Sequence, residues 1–175
     1  MDEQEASFQA RKDSTRQHVE VAHSVLQWAH EQERGGTLTR AQAQDTAIRA
    51  ISAMRYNGKE YFWINDMTPR VIMHPINPKL NGQDVGGMQD PNGLFLYKAF
   101  VDAVRRDGKG FVAYQWPRPG STQAVDKLSY VQGFEPWGWV IGSGIYVHDV
   151  REGVMHQIRV ASIGVLLTLL VAGHL

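Results

Sequence analysis

Residues 60–74 read EYFWINDMTPRVIMH, in which two runs of aromatic and β-branched side chains flank a polar loop that contains Pro69. Such runs favour β-strands, and a loop of this composition between them is typical of a β-hairpin. Three further runs of the same type follow, at residues 110–116, 127–134 and 138–145. The sequence therefore predicts a mostly antiparallel sheet that begins at residue 60.

The residues before the hairpin have a helical period instead. Over residues 5–34 apolar side chains recur every three or four positions, and Gly35-Gly36 supplies a C-terminal glycine cap. A second helix is predicted up to Arg55, because Thr39 and Gln42 have the spacing of a capping box. Helices followed by a mostly antiparallel sheet predict an α+β fold rather than a parallel βαβ arrangement.

Residues 75–93 contain three prolines and four glycines, and we predict that they form a long loop. Loops longer than about 12–15 residues in compact domains usually carry function. Asp90 followed by Pro91 is a favourable N-cap and first-turn pair, which predicts a helix from there to about Arg106.

Composition limits the function classes. The chain has 175 residues, with 18 Lys and Arg against 18 Asp and Glu, and it has no cysteine. A zero net charge argues against a nucleic-acid partner, which normally demands a basic excess. The lack of cysteine excludes disulfide frameworks, thiolate zinc sites and cysteine nucleophiles, and it leaves the redox compartment open.

Residues 160–173 read VASIGVLLTLLVAG and are apolar on every side of a helix. A membrane-spanning helix needs about 20 such residues, so a buried core helix is the alternative. We interpret the run as the start of a transmembrane helix that the end of the sequence interrupts. The first residues, MDEQEASF, predict neither a signal peptide nor a first transmembrane helix in that stretch.

An ordered series of motifs resembles the single Cache domain, type 2, of bacterial transmembrane receptors. These motifs are YNGKEYFWI at residues 56–64, MHP at 73–75, LNG at 80–82, DPNG at 90–93, GFVAYQWP at 110–117, KLSYV at 127–131 and PWGWVIGSGIY at 136–146. The resemblance implies a long N-terminal helix over residues 1–34, a PAS-like ligand-binding core over 35–150, and an exit helix with a truncated transmembrane segment over 151–175. It further implies an extracytoplasmic, periplasmic sensor held at the inner membrane, chemoreceptor-like rather than enzymatic.

The family also implies a small organic acid as ligand, such as acetate, propionate, pyruvate or lactate. A short carboxylate needs N–H or cationic donors at one end and a small apolar wall at the other. The predicted ligand-binding residues are His74 and Lys127 as donors, Tyr61, Tyr114 and Tyr130 as hydroxyls, Trp63, Met73, Pro75 and Trp116 as the wall, and Lys79 as a loop residue that closes over the ligand. Core packing is the alternative for each aromatic residue and for His74, and simple exposure is the alternative for Lys127.

Other functions are compatible with the same residues. We predict no catalytic residue, no cofactor and no metal site, and we assign the histidines of the first helix to solvent-facing positions. The alternatives are a hydrolase that uses His74 with Asp66 or Asp84, and a PAS-like domain that holds haem or flavin on His74 or His148. A third alternative is the sensor domain of a histidine kinase or cyclic-dinucleotide enzyme with an amine or amino acid as ligand. The expected partners are the ligand, the membrane through the C-terminal helix, and a second copy through the N-terminal helix.

Overall fold

The computed structural model describes residues 2–172, with the side chains of residues 2–150, 152–153, 155–157 and 159–163. The helices are α1 (Glu3–Arg34), α2 (Arg40–Ala53), α3 (Leu96–Asp107) and α4 (Val147–Ala172). The strands are β1 (Trp63–Asp66), β2 (Val71–Met73), β3 (Lys109–Pro117), β4 (Ala124–Phe134) and β5 (Trp139–Tyr146). Short 3₁₀ turns lie at Pro78–Leu80 and Glu135–Trp137.

The five strands form one antiparallel sheet in the order β2-β1-β5-β4-β3. Helices α1 and α2 pack on one face, where Leu26 and Ile51 meet Phe62, Ile64 and other strand residues. Helix α3 packs on the opposite face through Leu96, Tyr97 and Phe100. The predicted α+β fold, with a long N-terminal helix and an antiparallel sheet, is confirmed.

The helix ends follow from local chemistry. At the start of α1 the side chain of Asp2 accepts a hydrogen bond from the backbone N–H of Glu5. At its end the backbone N–H of Gly35 donates a hydrogen bond to the carbonyl oxygen of Glu31. Thr39 and Gln42 form the predicted capping box at the start of α2. Each bond satisfies a backbone group that has no partner within the helix.

The predicted start of α3 at Asp90 is wrong, because this helix begins at Leu96. Oδ1 of Asp90 accepts the backbone N–H groups of Asn92 and Leu94, and its Oδ2 accepts that of Gln115. Gly93, with a φ of 82°, completes a turn that a continuous helix would not allow. The acidic residue therefore stabilises a turn and ties it to β3.

Helix α4 leaves the sheet directly after β5, as expected for an exit helix. Within the part of the chain that the structure describes, no helix combines the length and the apolar character that a membrane crossing needs. The predicted transmembrane segment from residue 160 extends into positions whose side chains lie outside the described residues, and it stays a prediction.

Candidate ligand-binding site

The candidate site lies on the sheet face that packs against α3, here called the α3 face. Alternate residues of β1, β3, β4 and β5 point to this face, because side chains of a regular strand alternate between the two sides. The strand side chains that meet there are Trp63 from β1, Tyr114 and Trp116 from β3, Lys127 and Ser129 from β4, and Tyr146 from β5. Tyr61, which precedes β1, and His74, which follows β2, complete the group.

Lys127 is the central residue of this group, and its side chain is only 2% exposed. Its Nζ donates a hydrogen bond to the hydroxyl of Tyr61 at 3.1 Å. The same atom lies 4.4 Å from the ring centroid of Tyr61, 5.0 Å from that of Tyr146 and 5.7 Å from that of Trp63. None of the ion pairs found between described side chains includes Lys127. A buried cation held only by a hydroxyl and aromatic faces is well suited to receive an anion.

His74 is also 2% exposed, with its ring centroid 5.1 Å from that of Tyr61 and 5.8 Å from that of Trp116. Its Nδ1 accepts the backbone N–H of Asn77 at 3.0 Å, which leaves the ring proton on Nε2. Burial, assisted by the positive charge of Lys127, lowers the pKa of His74 to about 3. Of the two predicted roles, cation or N–H donor, the structure therefore favours the neutral donor.

Acid should destabilise the ligand-free chain in part through His74. In the unfolded chain the imidazole takes up a proton near its ordinary pKa of 6.5, whereas the folded chain keeps it neutral down to about pH 3. The unfolded state therefore binds more protons between these values, and the free energy of unfolding falls as the pH drops through this window. From about pH 7.5 to pH 5 the effect is about 2 kcal/mol.

The check is urea unfolding of the native chain and of His74→Gln near pH 7.5 and near pH 5. The variant should lose about 2 kcal/mol less than the native chain on acidification. Equal losses in the two proteins would mean that folded His74 takes up its proton as readily as an exposed imidazole does.

Aromatic side chains form the wall around these donors. Trp63 donates from its Nε1 to Oδ1 of Asn65 at 2.9 Å, and its ring packs against Phe100. The hydroxyl of Tyr114 lies 2.8 Å from Oγ of Ser129, and burial raises the pKa of this tyrosine well above its usual value. The tyrosines of the site therefore stay protonated and act as neutral hydroxyls.

Two of the predicted residues lie on the opposite face of the sheet, and two lie outside its strands. Met73 and Tyr130 belong to the core cluster on the opposite face, against α1 and α2. Tyr130 is three positions from Lys127 in β4, and an odd spacing places two strand residues on opposite faces. Pro75 follows His74 and is half-buried, and Lys79 is exposed on the 3₁₀ turn. Met73 and Tyr130 therefore cannot line the α3 face, while the roles of Pro75 in the wall and of Lys79 in closing over the ligand stay predictions.

Sequence reasoning missed Tyr146 and Glu60. Tyr146 is buried against Lys127, and its hydroxyl donates to the carbonyl of Pro117 at 2.8 Å. The period of β5 could have found it, because Gly142, Gly144 and Tyr146 alternate along one face. Glu60 is a buried acid next to Tyr61, and no local pattern distinguishes it from an exposed strand residue.

The histidines of α1 are not solvent-facing as predicted. His23 is buried and its Nε2 lies 2.9 Å from the carbonyl oxygen of Gly133, while His18 stacks on Tyr56. His30 packs edge-on against Phe134. Among the residues that the structure describes, no three His, Cys, Asp or Glu side chains are grouped to hold a metal ion.

Comparison with known proteins gives a family match over most of the chain. The sequence profile described as "Single Cache domain 2" matches residues 7–159. The methyl-accepting chemotaxis protein McpP of Pseudomonas putida is 45% identical over 94% of this chain and 30% of its own length. The sensor histidine kinase MctS of Rhizobium johnstonii is 30% identical over 62% of this chain and 23% of its own length. The chain thus spans less than a third of the curated relatives it matches.

Two solved structures share the fold at a TM-score of 0.79. One is described as the periplasmic sensor domain of a chemotaxis protein; it is 47% identical, and the match covers 80% of this chain and 97% of that one. The other is a Cache chemosensory domain whose description concerns carboxylic acid recognition. It is 44% identical, and the match covers 82% of this chain and 97% of that one.

Proposed function

We propose, from the premise that this chain belongs to the single Cache domain 2 family, that its α3-face site binds a short-chain organic acid. The observation that carries the proposal is the buried ammonium of Lys127, which no described carboxylate pairs. Carboxylic acid recognition by a solved Cache domain 44% identical to this one supports the same ligand class.

In the proposed complex the ligand carboxylate accepts hydrogen bonds from three neutral or cationic donors. These are Nζ of Lys127, the hydroxyl of Tyr61 and Nε2–H of His74. Trp63 and Trp116 face the apolar end of the ligand. Bonds from a charged donor to a carboxylate are about twice as strong as neutral ones, so the lysine supplies most of the affinity. Acetate, propionate, pyruvate and lactate all fit this polarity.

The chain is a Cache sensor domain of the kind that chemoreceptors carry. We propose that it is extracytoplasmic and that its ligand acts by moving α4, which follows β5 without a linker. Shifts of about 1–2 Å at helix interfaces suffice in known switches. The output, whether chemotaxis, phosphorylation or cyclic-dinucleotide turnover, belongs to the part of such proteins beyond this chain.

We also propose that α1 pairs with its copy in a second chain. Val21 and Trp28 are seven positions apart on α1, and they are 61% and 49% exposed. Residues at that spacing share one helix face, which suits a helix–helix contact. Sedimentation velocity that reports only a monomer at high concentration would contradict this arrangement.

A thermal-shift screen of carboxylates with two to four carbons, amino acids and amines tests the ligand class. A ligand at about 100 times its dissociation constant adds roughly 2.7 kcal/mol of stability, so the midpoint of unfolding should rise clearly with the carboxylates. Shifts with amines alone would contradict the proposed polarity and would favour the alternative ligand class.

The hydrolase alternative has less support in the described residues. The carboxylates of Asp66 and Asp84 accept backbone N–H groups in turns, from Thr68 and Arg70 and from Gly86. Neither is among the described hydrogen-bond partners of His74. Recovery of the acid unchanged after incubation with the domain is the expected result, and loss of the acid would favour an enzyme.

A further inference from the structure

Glu60 is a buried acid that the binding of a carboxylate, as proposed above, leaves unused. Its side chain is 8% exposed, and it precedes Tyr61, whose hydroxyl holds Nζ of Lys127. Among the described side chains, no hydrogen bond or ion pair engages its carboxylate. It lines a cavity of about 180 Å³ together with Tyr146, the residue whose ring also meets Lys127.

Charged groups from several elements face this cavity. Arg11 comes from α1 and is exposed, Lys59 is largely exposed, and Asp149 comes from the first turn of α4. Asp149 is already neutralised, because it pairs with Arg118 at 2.7 Å and with Lys59 at 3.6 Å. Exposed cations are screened by water and favour the Glu60 carboxylate less than Lys127 does, so Lys127 and Glu60 are two buried charges without an ion-pair partner among the described side chains.

Lys127 and Glu60 form no ion pair, but their opposite charges attract each other at longer range. The charge of Lys127 reaches Glu60 and favours its carboxylate, while burial has the larger and opposite effect and raises the pKa of Glu60. A carboxylate ligand bound at Lys127 adds a second anion near the largely buried Glu60. Two anions that share one cation in a poorly solvated space repel each other strongly, and uptake of one proton restores neutrality.

Glu60 is better placed than its neighbours to take that proton. Nδ1 of His74 accepts the N–H of Asn77, so protonation there would break an existing hydrogen bond. Asp149 is bound to Arg118, which lowers the pKa of Asp149. Tyr61 and Tyr146 already carry their protons, since burial raises both pKa values.

We propose that binding of a carboxylate at Lys127 is coupled to uptake of a proton by Glu60, so that the affinity for the acid increases as the pH falls. This inference rests on the proposed ligand site. Full coupling changes the dissociation constant by up to about tenfold per pH unit.

Calorimetric titration of the domain with acetate and with propionate, between about pH 6 and pH 8, tests the coupling. Each titration is repeated in buffers of different ionisation enthalpy, which gives the number of protons taken up per ligand. Glu60→Gln, an uncharged isostere, should take up no proton, bind with an affinity independent of pH, and bind more tightly than the native chain near pH 8. Glu31→Gln, at an exposed position of α1, is the matched control and should behave like the native chain.

The outcomes separate the two proposals. If the native chain binds the acid without proton uptake, or if Glu60→Gln takes up as many protons as the native chain, the coupling is overturned. Either result is compatible with the proposed ligand site. Absence of acid binding at every pH overturns both. If Glu60→Gln does not fold, infrared difference spectra of the native chain with ¹³C-labelled acid test the protonation of Glu60 directly. A new protonated-carboxyl band from the unlabelled protein supports the coupling, and its absence overturns it.

Discussion

Replacing Lys127 with methionine is expected to abolish carboxylate binding and, at the same time, to raise the thermal stability of the ligand-free domain. The first effect follows because the variant lacks the only buried cation proposed to meet the ligand. Removal of one partner of a buried charge pair costs about 2–5 kcal/mol, or roughly 30- to 5,000-fold in the dissociation constant.

The second effect has the opposite sign because Lys127 is 2% exposed and no described carboxylate lies within ion-pair distance of it, while Glu60, which loses the favourable charge of Lys127, can take up a proton instead. Such a burial costs free energy that folding must offset. Methionine is unbranched and about as long as the lysine stem, so it fills the space among the aromatic rings without the charge. Ligand-binding sites often contain such a destabilising charge, because binding of the ligand offsets its free-energy cost.

Calorimetric titration with a short carboxylate and thermal unfolding without ligand measure the two effects. Lys109→Met, at an exposed position of β3, is the control and should change neither quantity appreciably. If Lys127→Met proved less stable than the native domain and still bound the acid with native affinity, the lysine would be a structural residue only.

Substituting Gly142 by alanine is expected to reduce the free energy of unfolding by about 3 kcal/mol, the upper part of the usual range for overpacking. Gly142 lies in β5 on the α3 face, and a Cβ atom there would stand 2.5 Å from Cη2 of Trp63. The indole packs directly on the glycine backbone, and Phe100 lies against the indole. The ring cannot retreat without disturbing α3, and its displacement should also weaken ligand binding.

Urea unfolding measures this cost, with Gly87→Ala as the control. An added Cβ at Gly87 meets no atom within 4 Å, and neither glycine has a positive φ, so the comparison isolates the steric effect. The clash should also be relieved in part by Trp63→Leu, which gives a coupling energy in a double-mutant cycle. A Gly142→Ala variant as stable as the native domain would show that the indole moves freely.

The order and positions of the helices and strands could largely be predicted from local patterns. The glycine cap after α1, the capping box of α2 and the aromatic strand runs each depend on residues close together in sequence. The start of α3 could not, because Asp90 has one partner 25 residues away in β3. A side chain that serves a distant strand looks the same, in sequence, as one that caps its own helix.

The candidate site was also predictable from the sequence only in part. Periodicity alone separates Lys127 from Tyr130, because their odd spacing in β4 places them on opposite faces. The protonation of His74 was not predictable, because it depends on the amide of Asn77 and on burial beneath Trp116. The isolation of Glu60 depends equally on groups from α1, β4, β5 and α4.

By itself, the sequence determined the α+β architecture, the family resemblance and the residue types able to bind a small acid, since these depend on short-range patterns of polarity and backbone preference. Only the tertiary structure decided which of those residues share a face, which donor is neutral, and which charges are left without a partner. Desolvation is the physical reason, because the state of a buried charge is set by every segment that excludes water from it, and those segments are far apart in the chain.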